Sequence, residues 1–203
     1  MSVDSHSSET PEEKMERLET RILELELEVE EQKKLIAEYR ALALQDPLLR
    51  DLYNRRGFEE TLKEVETEDD RRDPEHTRKL AIIFIDVDNF KSINDTYGHQ
   101  AGDRVLLALA DIVVNEGRTD DTLVQLPEAI AGRLGGDEIA IALPGADEEG
   151  ARKVLERIKR KVEALEIESE GEIIRFTISG GVGKGIDAAD KGMYKDKRGD
   201  RAD

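Results

Sequence analysis

A seven-residue apolar repeat near the N-terminus constrains this chain more than any other feature. Its first position is apolar five times in succession, at Met15, Ile22, Val29, Ile36 and Ala43. The position three residues later holds Leu18, Leu25, Gln32 and Tyr39, and neither glycine nor proline interrupts residues 12–43. An a/d seam held over about four heptads predicts a coiled coil rather than a lone amphipathic helix.

The residues in and beside this seam predict two parallel strands. β-Branched residues at position a with Leu at position d favour a parallel dimer. In such a dimer each g position faces the next e position of the partner, which pairs Lys14 with Glu19, Arg21 with Glu26 and Glu28 with Lys33. All three pairs are opposite in sign, so we expect residues 11–45 to form a parallel dimeric coiled coil. The alternative is a single helix packed against its own domain.

Composition narrows the remaining possibilities. The 203 residues include 31 Lys and Arg against 48 Asp and Glu, a net charge of -17, and no cysteine. The length fits one domain plus an extended segment, and the lack of cysteine excludes disulfides, thiol nucleophiles and cysteine-ligated metals. The acidic balance disfavours nucleic acid or an anionic membrane as a partner, because these polyanions repel it. A phosphate ligand must therefore be held by a metal or by a few placed cations.

The N-terminal residues give no targeting signal. Residues 1–10 are polar and serine-rich, which predicts a disordered start. No run approaches the ~20 apolar residues of a membrane span, and MSVDSHSSETPEE lacks the apolar core of a signal peptide. We therefore expect a cytoplasmic protein without a membrane span.

Strand and helix patterns alternate in the rest of the chain, which predicts an α/β sandwich with helices covering a sheet. Strands are predicted at residues 80–85, 129–133, 138–143 and 173–179. Helices are predicted at residues 57–66, 104–114, 150–165 and 186–198. The segment EDDRRDPEHTRK is predicted to be a charged connector.

Two acidic pairs are candidate metal ligands. Asp86 and Asp88 share one face of the first predicted strand, since alternate residues of a strand point the same way. Asp137 and Glu138 follow a Gly-Gly turn, where a bulky ligand can approach the backbone. Convergent carboxylates without His or Cys suit Mg²⁺ or Mn²⁺, which commonly accompany a phosphate. The alternative is that each pair only caps a strand end in solvent.

The segment after the first acidic pair carries groups that suit a nucleotide. Lys91 is a candidate phosphate contact, and Asn94 with Asp103 are candidates for reading the amide and amine edge of guanine. Taken alone, INDTYGH predicts a turn-rich loop and His99 an ordinary loop residue.

Two longer motifs resemble a known family. DVDNFKSINDTYGHQAGD followed by RLGGDEIAIALP is very similar to the GGDEF-domain diguanylate cyclases, and the resemblance extends from Asp46 to Arg201. It implies the GGDEF fold, a nucleotide-cyclase-like α/β sandwich with a central, mostly antiparallel sheet flanked by helices. It also implies the condensation of two GTP into cyclic di-GMP and two pyrophosphates, with residues 46–203 as the catalytic domain.

The resemblance assigns a metal site. It implies two divalent ions, Mg²⁺ or Mn²⁺, in each half-site, bound by Asp86, Asp137 and the main-chain carbonyl of Val87. Glu138 is the implied general base for the attacking 3′-hydroxyl.

The resemblance also assigns the phosphate contacts. Backbone N–H groups around two residues and the side chains of three others would hold the triphosphate: Asn89 and Phe90, then Lys91, Lys197 and Arg201. Lys91 would in addition stabilise charge in the transition state.

The guanine and nucleoside contacts follow in the same way. Asn94 and Asp103 would read guanine, His99 would lie near the nucleoside, and the turn of Gly135 and Gly136 would leave room for the nucleotide. An acidic residue at Asp103 also favours GTP in both half-sites.

Each domain of this kind holds one GTP, so two domains must face each other. The predicted coiled coil would raise the local concentration of one half-site at the other. We therefore expect GTP as substrate and a homodimer through the N-terminal coiled coil. No sensor domain accompanies the catalytic one, which leaves an unidentified sensor or regulatory partner open.

Three features depart from the family pattern. Ile139 stands where the family has Phe, for which we expect a modest packing change and retained metal binding. Leu126 and Ala129 replace the Arg and Asp of the product-inhibition motif, which predicts no feedback through that site. DPLLRDLYNRR is one residue longer than usual and lacks a glycine, which leaves the coupling between helix and domain open.

A non-catalytic module that binds GTP and signals by contact is the alternative to an enzyme. Degenerate family members usually lose the acidic signature residues, whereas this chain keeps Asp137 and Glu138. The resemblance therefore favours an active enzyme.

Overall fold

A computed structural model describes residues 10–72, 79–117 and 129–199. Two compact units divide the chain, one comprising Met1–Ala43 and the other Leu44–Asp203. Of residues 1–10, which are predicted to be disordered, only Thr10 is among the described residues. Leu126 and Arg201 also lie outside the described residues. In the described parts, no helix is both long and apolar enough to cross a membrane.

Among its described residues, the first unit contains one long helix, α1 (Pro11–Leu44), whose last residue belongs to the second unit. A capping box starts it: the Thr10 N–H donates to Glu13 Oε2 at 2.8 Å, and the Glu13 N–H donates to Thr10 Oγ1 at 3.3 Å. The apolar seam is exposed along the helix, from 44% at Leu25 to 64% at Ile36 among its aliphatic members.

A five-stranded sheet forms the centre of the second unit. Its strands are β1 (Tyr53–Asn54), β2 (Leu80–Val87), β3 (Ile130–Arg133), β4 (Glu138–Pro144) and β7 (Ile178–Gly183), in the order β1-β3-β4-β2-β7. Among the described strands of this sheet, only β1 and β3 pair in parallel. A separate two-stranded sheet pairs β5 (Ile167–Ser169) with β6 (Glu172–Ile174).

Helices cover both faces of the five-stranded sheet. They are α2 (Arg55–Arg72), α3 (Phe90–Tyr97), α4 (His99–Gly117), α5 (Glu148–Glu163) and α6 (Ile186–Lys197). Alternate residues of β2 enter two hydrophobic cores: Ile83 and Ile85 pack with α4 and α5, and Ile82 and Phe84 pack with α2 and α6. Because both faces are covered, β2 is an almost continuous apolar run.

This architecture confirms the predicted fold class, but three local predictions are wrong. Helix α2 extends to Arg72, so residues 68–72 of the predicted charged connector are helical. Residues 90–97 form α3 rather than a turn-rich loop, because Ile93 is buried in the core and Gly98, at φ 83°, ends the helix. Residues 173–179 do not form one strand. A turn at Glu170 and Gly171, both with positive φ, pairs β6 with β5, whereas β7 pairs with β2.

Candidate active site

Two adjacent antiparallel strands bring acidic residues together at one end of the sheet. Asp86, near the end of β2, lies directly opposite Glu138, the first residue of β4. Asp137 precedes Glu138 in the same hairpin. Directly opposed positions of a strand pair lie about 5 Å apart, so these carboxylates share a small volume. The sheet order therefore places the hairpin beside β2.

The hairpin between β3 and β4 is tight. The Leu134 N–H donates to the Glu138 carbonyl oxygen at 2.9 Å, which closes the turn. The carboxylate of Glu138 folds over Gly135, at the place that a Cβ atom on this residue would occupy. Any larger residue at position 135 would displace the Glu138 side chain.

The acidic side chains of the hairpin hold their protons more tightly than ordinary carboxyls do. Burial, followed by the charge of Asp86, raises the pKa of Asp137. Burial also raises the pKa of Glu138, and the charges of Asp86 and Asp137 add to that effect. The site therefore has an excess of negative charge that a cation would relieve.

Lys197 supplies one such cation from the last residue of α6. Its Nζ donates to Asp86 Oδ1 at 2.5 Å, and Asp86 is only 7% exposed. This hydrogen bond raises the pKa of Lys197, against the opposing effect of burial, and the nearby charges of Asp86 and Asp137 raise it further. The ammonium group is therefore held in its charged form beside the acidic cluster.

The oxygen atoms available as metal ligands at this site suit a hard divalent cation that also binds substrate. Among the described residues, no group of three or more acidic or histidine side chains is arranged to ligate a metal by itself. Mg²⁺ commonly binds through one or two carboxylates and takes its other oxygens from water and substrate phosphates. Asp86, Asp137 and the adjacent Val87 carbonyl fit that requirement, because all three offer oxygen.

Asp88 has a different environment from Asp86. Its carboxylate accepts hydrogen bonds from Thr177 Oγ1 and Ser179 Oγ, each at 2.6 Å. The Asp88 N–H also donates to the Thr177 carbonyl oxygen at 3.0 Å. These contacts fasten the end of β2 to β7, so Asp88 is engaged in holding the sheet together.

The predicted phosphate contacts lie at the start of α3. Asn89 has a left-handed backbone, with φ 54° and ψ 30°, and its carbonyl oxygen accepts from the N–H groups of Ser92 and Ile93. A helix N-terminus attracts anions because its first N–H groups point outward. Phe90 is half-buried and Lys91 is exposed in the first turn.

The predicted guanine contacts lie where α3 meets α4. The Asn94 side chain packs against Gly102, which leaves room for it because a Cβ there would strike the Asn94 amide oxygen. Asp103 follows Gly102 in α4 and is exposed, as is His99 at the start of that helix. The Asn94 side chain therefore lies against the turn of α4 that carries Asp103.

Sequence reasoning missed two residues that support the hairpin. The Arg133 guanidinium donates to the Gly136 carbonyl oxygen at 2.6 Å and to Asp46 Oδ1 at 3.4 Å. Arg55 Nε donates to the Leu134 carbonyl oxygen at 2.8 Å, and its charge opposes the rise in the pKa of Glu138. In the sequence, the signal for a residue that supports the hairpin was that Arg133 directly precedes LGGDE.

Comparison with known proteins decides the family. Residues 43–202 match the family described as diguanylate cyclase, GGDEF domain. The chain belongs to that family. This GGDEF domain is 38% identical over 137 residues to diguanylate cyclase A of Treponema denticola, which covers 63% of the chain and 35% of the relative. The chain spans about a third of the length of the curated relatives it matches.

Two solved structures resemble both the long helix and the GGDEF domain. The coiled coil and GGDEF domain of DgcB from Caulobacter crescentus, in complex with c-di-GMP, aligns with a TM-score of 0.72 and 26% identity, covering 91% of this chain and 96% of that chain. Diguanylate cyclase SiaD from Pseudomonas aeruginosa, in complex with its activator SiaC, aligns with a TM-score of 0.68 and 29% identity, covering 93% and 71%. These likenesses confirm the identification as a GGDEF-domain protein with a long N-terminal helix.

Proposed function

We propose that the chain is a diguanylate cyclase that condenses two GTP into cyclic di-GMP and two pyrophosphates. The observation that supports this most is the acidic cluster of Asp86, Asp137 and Glu138, with the Lys197 ammonium beside it. Phosphoryl transfer requires negative charge to be neutralised at the entering and leaving oxygens. Carboxylates that hold a cation, next to a fixed ammonium, suit that chemistry.

Asp86, Asp137 and the Val87 carbonyl would hold the divalent ions, Mg²⁺ or Mn²⁺, two in each half-site. Bound there, the ions would neutralise the triphosphate and polarise the attacked phosphorus. Glu138 would accept the proton of the attacking 3′-hydroxyl, and its raised pKa makes it a better base than an ordinary exposed carboxylate.

The remaining contacts would position the nucleotide. Lys197 and the N-terminus of α3 at Asn89 and Phe90 would bind the triphosphate, with Lys91 stabilising transition-state charge. A further triphosphate contact is assigned to Arg201. Asn94 and Asp103 would read guanine, with His99 near the nucleoside. The Gly135 and Gly136 turn would leave room for the substrate.

Catalysis is proposed to occur between two GGDEF domains, because one domain with one GTP has no second nucleotide to attack. The exposed seam of α1 supports a dimer through a parallel coiled coil. The complex of SiaD with an activator supports a regulatory partner for this chain too. Ala129, just before β3, is an apolar residue at the place where the product-inhibition motif has Asp, which favours the absence of feedback inhibition through that motif.

Turnover of the purified chain tests this proposal. Incubation with GTP and Mg²⁺ should yield cyclic di-GMP and pyrophosphate, both measured by chromatography. Glu138→Gln, which keeps size and hydrogen bonding but removes the base, should abolish product while binding of Mg²⁺ with GTP remains. A folded wild-type chain that binds GTP but forms no product at any protein concentration would instead indicate a non-catalytic GTP-binding module.

A further inference from the structure

Asp196, the residue before Lys197, is tied to two other elements. Lys159 Nζ of α5 donates to Asp196 Oδ2 at 2.5 Å, and the Gly180 N–H of β7 donates to the same oxygen at 2.9 Å. The side chains of Lys159 and Asp196 are only 19% and 23% exposed. Water therefore competes weakly for this ion pair, in contrast to exposed pairs of helix surfaces.

Backbone and small residues make a close contact between α6 and β7. A Cβ on Gly181 would collide with the backbone of Ala189 and Met193, and one on Gly183 would collide with Ala188. Gly192 of α6 lies against Gly181 in the same contact. Buried Ala189 and Met193 hold the middle of α6 against the sheet, and Asp196 and Lys197 add polar contacts at its last turn.

Asp196 and Lys197 provide two polar anchors in different directions. Consecutive helical residues point roughly 100° apart around the axis. Lys197 contacts Asp86 on β2, whereas Asp196 contacts α5 and β7. One anchor alone would let the last turn of α6 pivot about it. Two anchors on different strands fix both its rotation and its height over the sheet.

We propose that Asp196 is a positioning residue that, through Lys159 and the Gly180 N–H, sets where the Lys197 ammonium lies against Asp86. The inference rests on the proposed function, since Lys197 is assigned there to the triphosphate. Asp196 contacts no reacting group and acts only through Lys197. Its removal should lower turnover because misplacement of a charged group by a fraction of an ångström weakens transition-state stabilisation.

A double-mutant cycle tests this coupling. Asp196→Ala should lower kcat/KM for GTP by about tenfold to a hundredfold. The same substitution in a Lys197→Ala background should cost less than about twofold, because the residue through which Asp196 acts is already gone. Asp196→Asn, whose amide oxygen still accepts from the Gly180 N–H, should recover part of the loss. Equal losses in both backgrounds would overturn the proposal and indicate a purely structural role.

Two matched variants separate the ion pair from general effects on α5. Lys159→Met should lower kcat/KM in the same direction as Asp196→Ala, whereas Lys153→Met should leave it unchanged. Lys153 pairs with Glu149 on the same helix, but both side chains are at least 70% exposed. If both lysine variants lose activity equally, the specific anchor is wrong.

Affinity provides a readout that does not require turnover. The four proteins of the cycle are titrated with Mg²⁺ and a non-hydrolysable GTP analogue by calorimetry. The loss of affinity caused by Asp196→Ala should disappear in the Lys197→Ala background. A wild type that binds the analogue but makes no product would refute the proposed function, while the same titrations would still decide the role of Asp196.

Discussion

Arg133 and Asp46 form an ion pair that joins the signature hairpin to the segment directly after α1. Arg133 Nη1 lies 3.4 Å from Asp46 Oδ1, and the two side chains are only 19% and 9% exposed. The same carboxylate oxygen accepts from the Leu48 and Leu49 N–H groups at 3.0 and 2.7 Å. Arg133 also donates to the Gly136 carbonyl oxygen. Asp46 therefore shapes its own turn and supports the hairpin that carries Asp137.

Asp46→Asn is expected to weaken both the fold and catalysis. The amide keeps an acceptor for the turn but loses the charge that holds Arg133, which should cost about 1–3 kcal/mol of unfolding free energy. The looser hairpin should lower kcat more than it raises KM. Urea denaturation and steady-state kinetics measure the two effects. Lys79→Met, which breaks an exposed ion pair with Asp147, is the control and should change neither. Wild-type values for Asp46→Asn would show that the ion pair does not support the hairpin.

Glu116 should make the stability depend on pH. It is 4% exposed and accepts from Arg157 Nε at 2.7 Å and from Lys161 Nζ at 2.6 Å. Burial alone would raise the pKa of Glu116, but the hydrogen bonds and charges of Lys161 and Arg157 together lower it. A carboxyl whose pKa is lowered by folding stabilises above its unfolded pKa of about 4.3, and this stabilisation is lost as pH falls through the folded value.

Glu116→Gln should therefore cost about 1–3 kcal/mol of unfolding free energy at pH 7. The difference from wild type should shrink as the pH falls below the unfolded pKa of about 4.3 and through the lowered folded pKa, where the wild-type carboxyl also becomes neutral. Urea denaturation across this pH range measures it, with Glu149→Gln on the exposed face of α5 as the control. A deficit that stays constant with pH would contradict the charged contacts as its cause.

Asp137→Asn should not destabilise the chain in the presence of a chelator at neutral pH. Burial and the charge of Asp86 raise the pKa of Asp137, so its ionised form costs folding free energy above that raised value. Removing the charge relieves that cost, and the melting temperature should stay or rise. Mg²⁺ should raise the melting temperature of the wild type but hardly that of the variant, because a ligand stabilises only the form that binds it. An equal Mg²⁺ response in both proteins would remove Asp137 from the metal site.

The sequence allowed the central sheet to be predicted where a strand is covered on both faces. The apolar runs of β2 and β4 have no helical period, so their type was clear. Helix α3 was missed because its polar residues resemble a turn, whereas Ile93 and Phe90 of this helix pack against the core. The split between β6 and β7 depends on which partner each finds, which no local pattern encodes.

The sequence could indicate the acidic residues of the candidate site because they lie in short motifs. Their supports were not, since each depends on a contact between distant segments. Asp46 and Arg133 are 87 residues apart, and Lys159 and Asp196 are 37 apart. An isolated Asp or Lys on a helix predicts only a solvated surface until the fold gives it a partner.

Ile139→Phe, which restores the family's usual residue, should destabilise this chain. Ile139 is fully buried between β2 and β3, in the core shared with α4 and α5. A larger ring in a packed core costs about 1–3 kcal/mol of unfolding free energy. Mg²⁺ affinity should stay unchanged, because the side chain faces the core and away from the carboxylates. Ile139→Val, which removes one methylene, should cost about 0.5–1.5 kcal/mol. If Ile139→Phe were as stable as the wild type, the core around residue 139 would have to contain enough unfilled space for the larger ring.

The role of the α1 seam as a dimer contact can be tested by comparing a lysine in the seam with a lysine outside it. Ile22, at position a, and Leu27, outside the seam, are 56% and 65% exposed, so neither substitution disturbs a buried core within the chain. Ile22→Lys should place two like charges together in a parallel dimer and dissociate it, whereas Leu27→Lys should leave it intact. Sedimentation measures the mass, and the rate of cyclic di-GMP formation is followed against protein concentration. The Ile22→Lys protein should become monomeric and its specific activity should rise with concentration, because the two half-sites must then meet by diffusion. Equal masses and equal rates for the two variants would rule out the seam as the dimer contact.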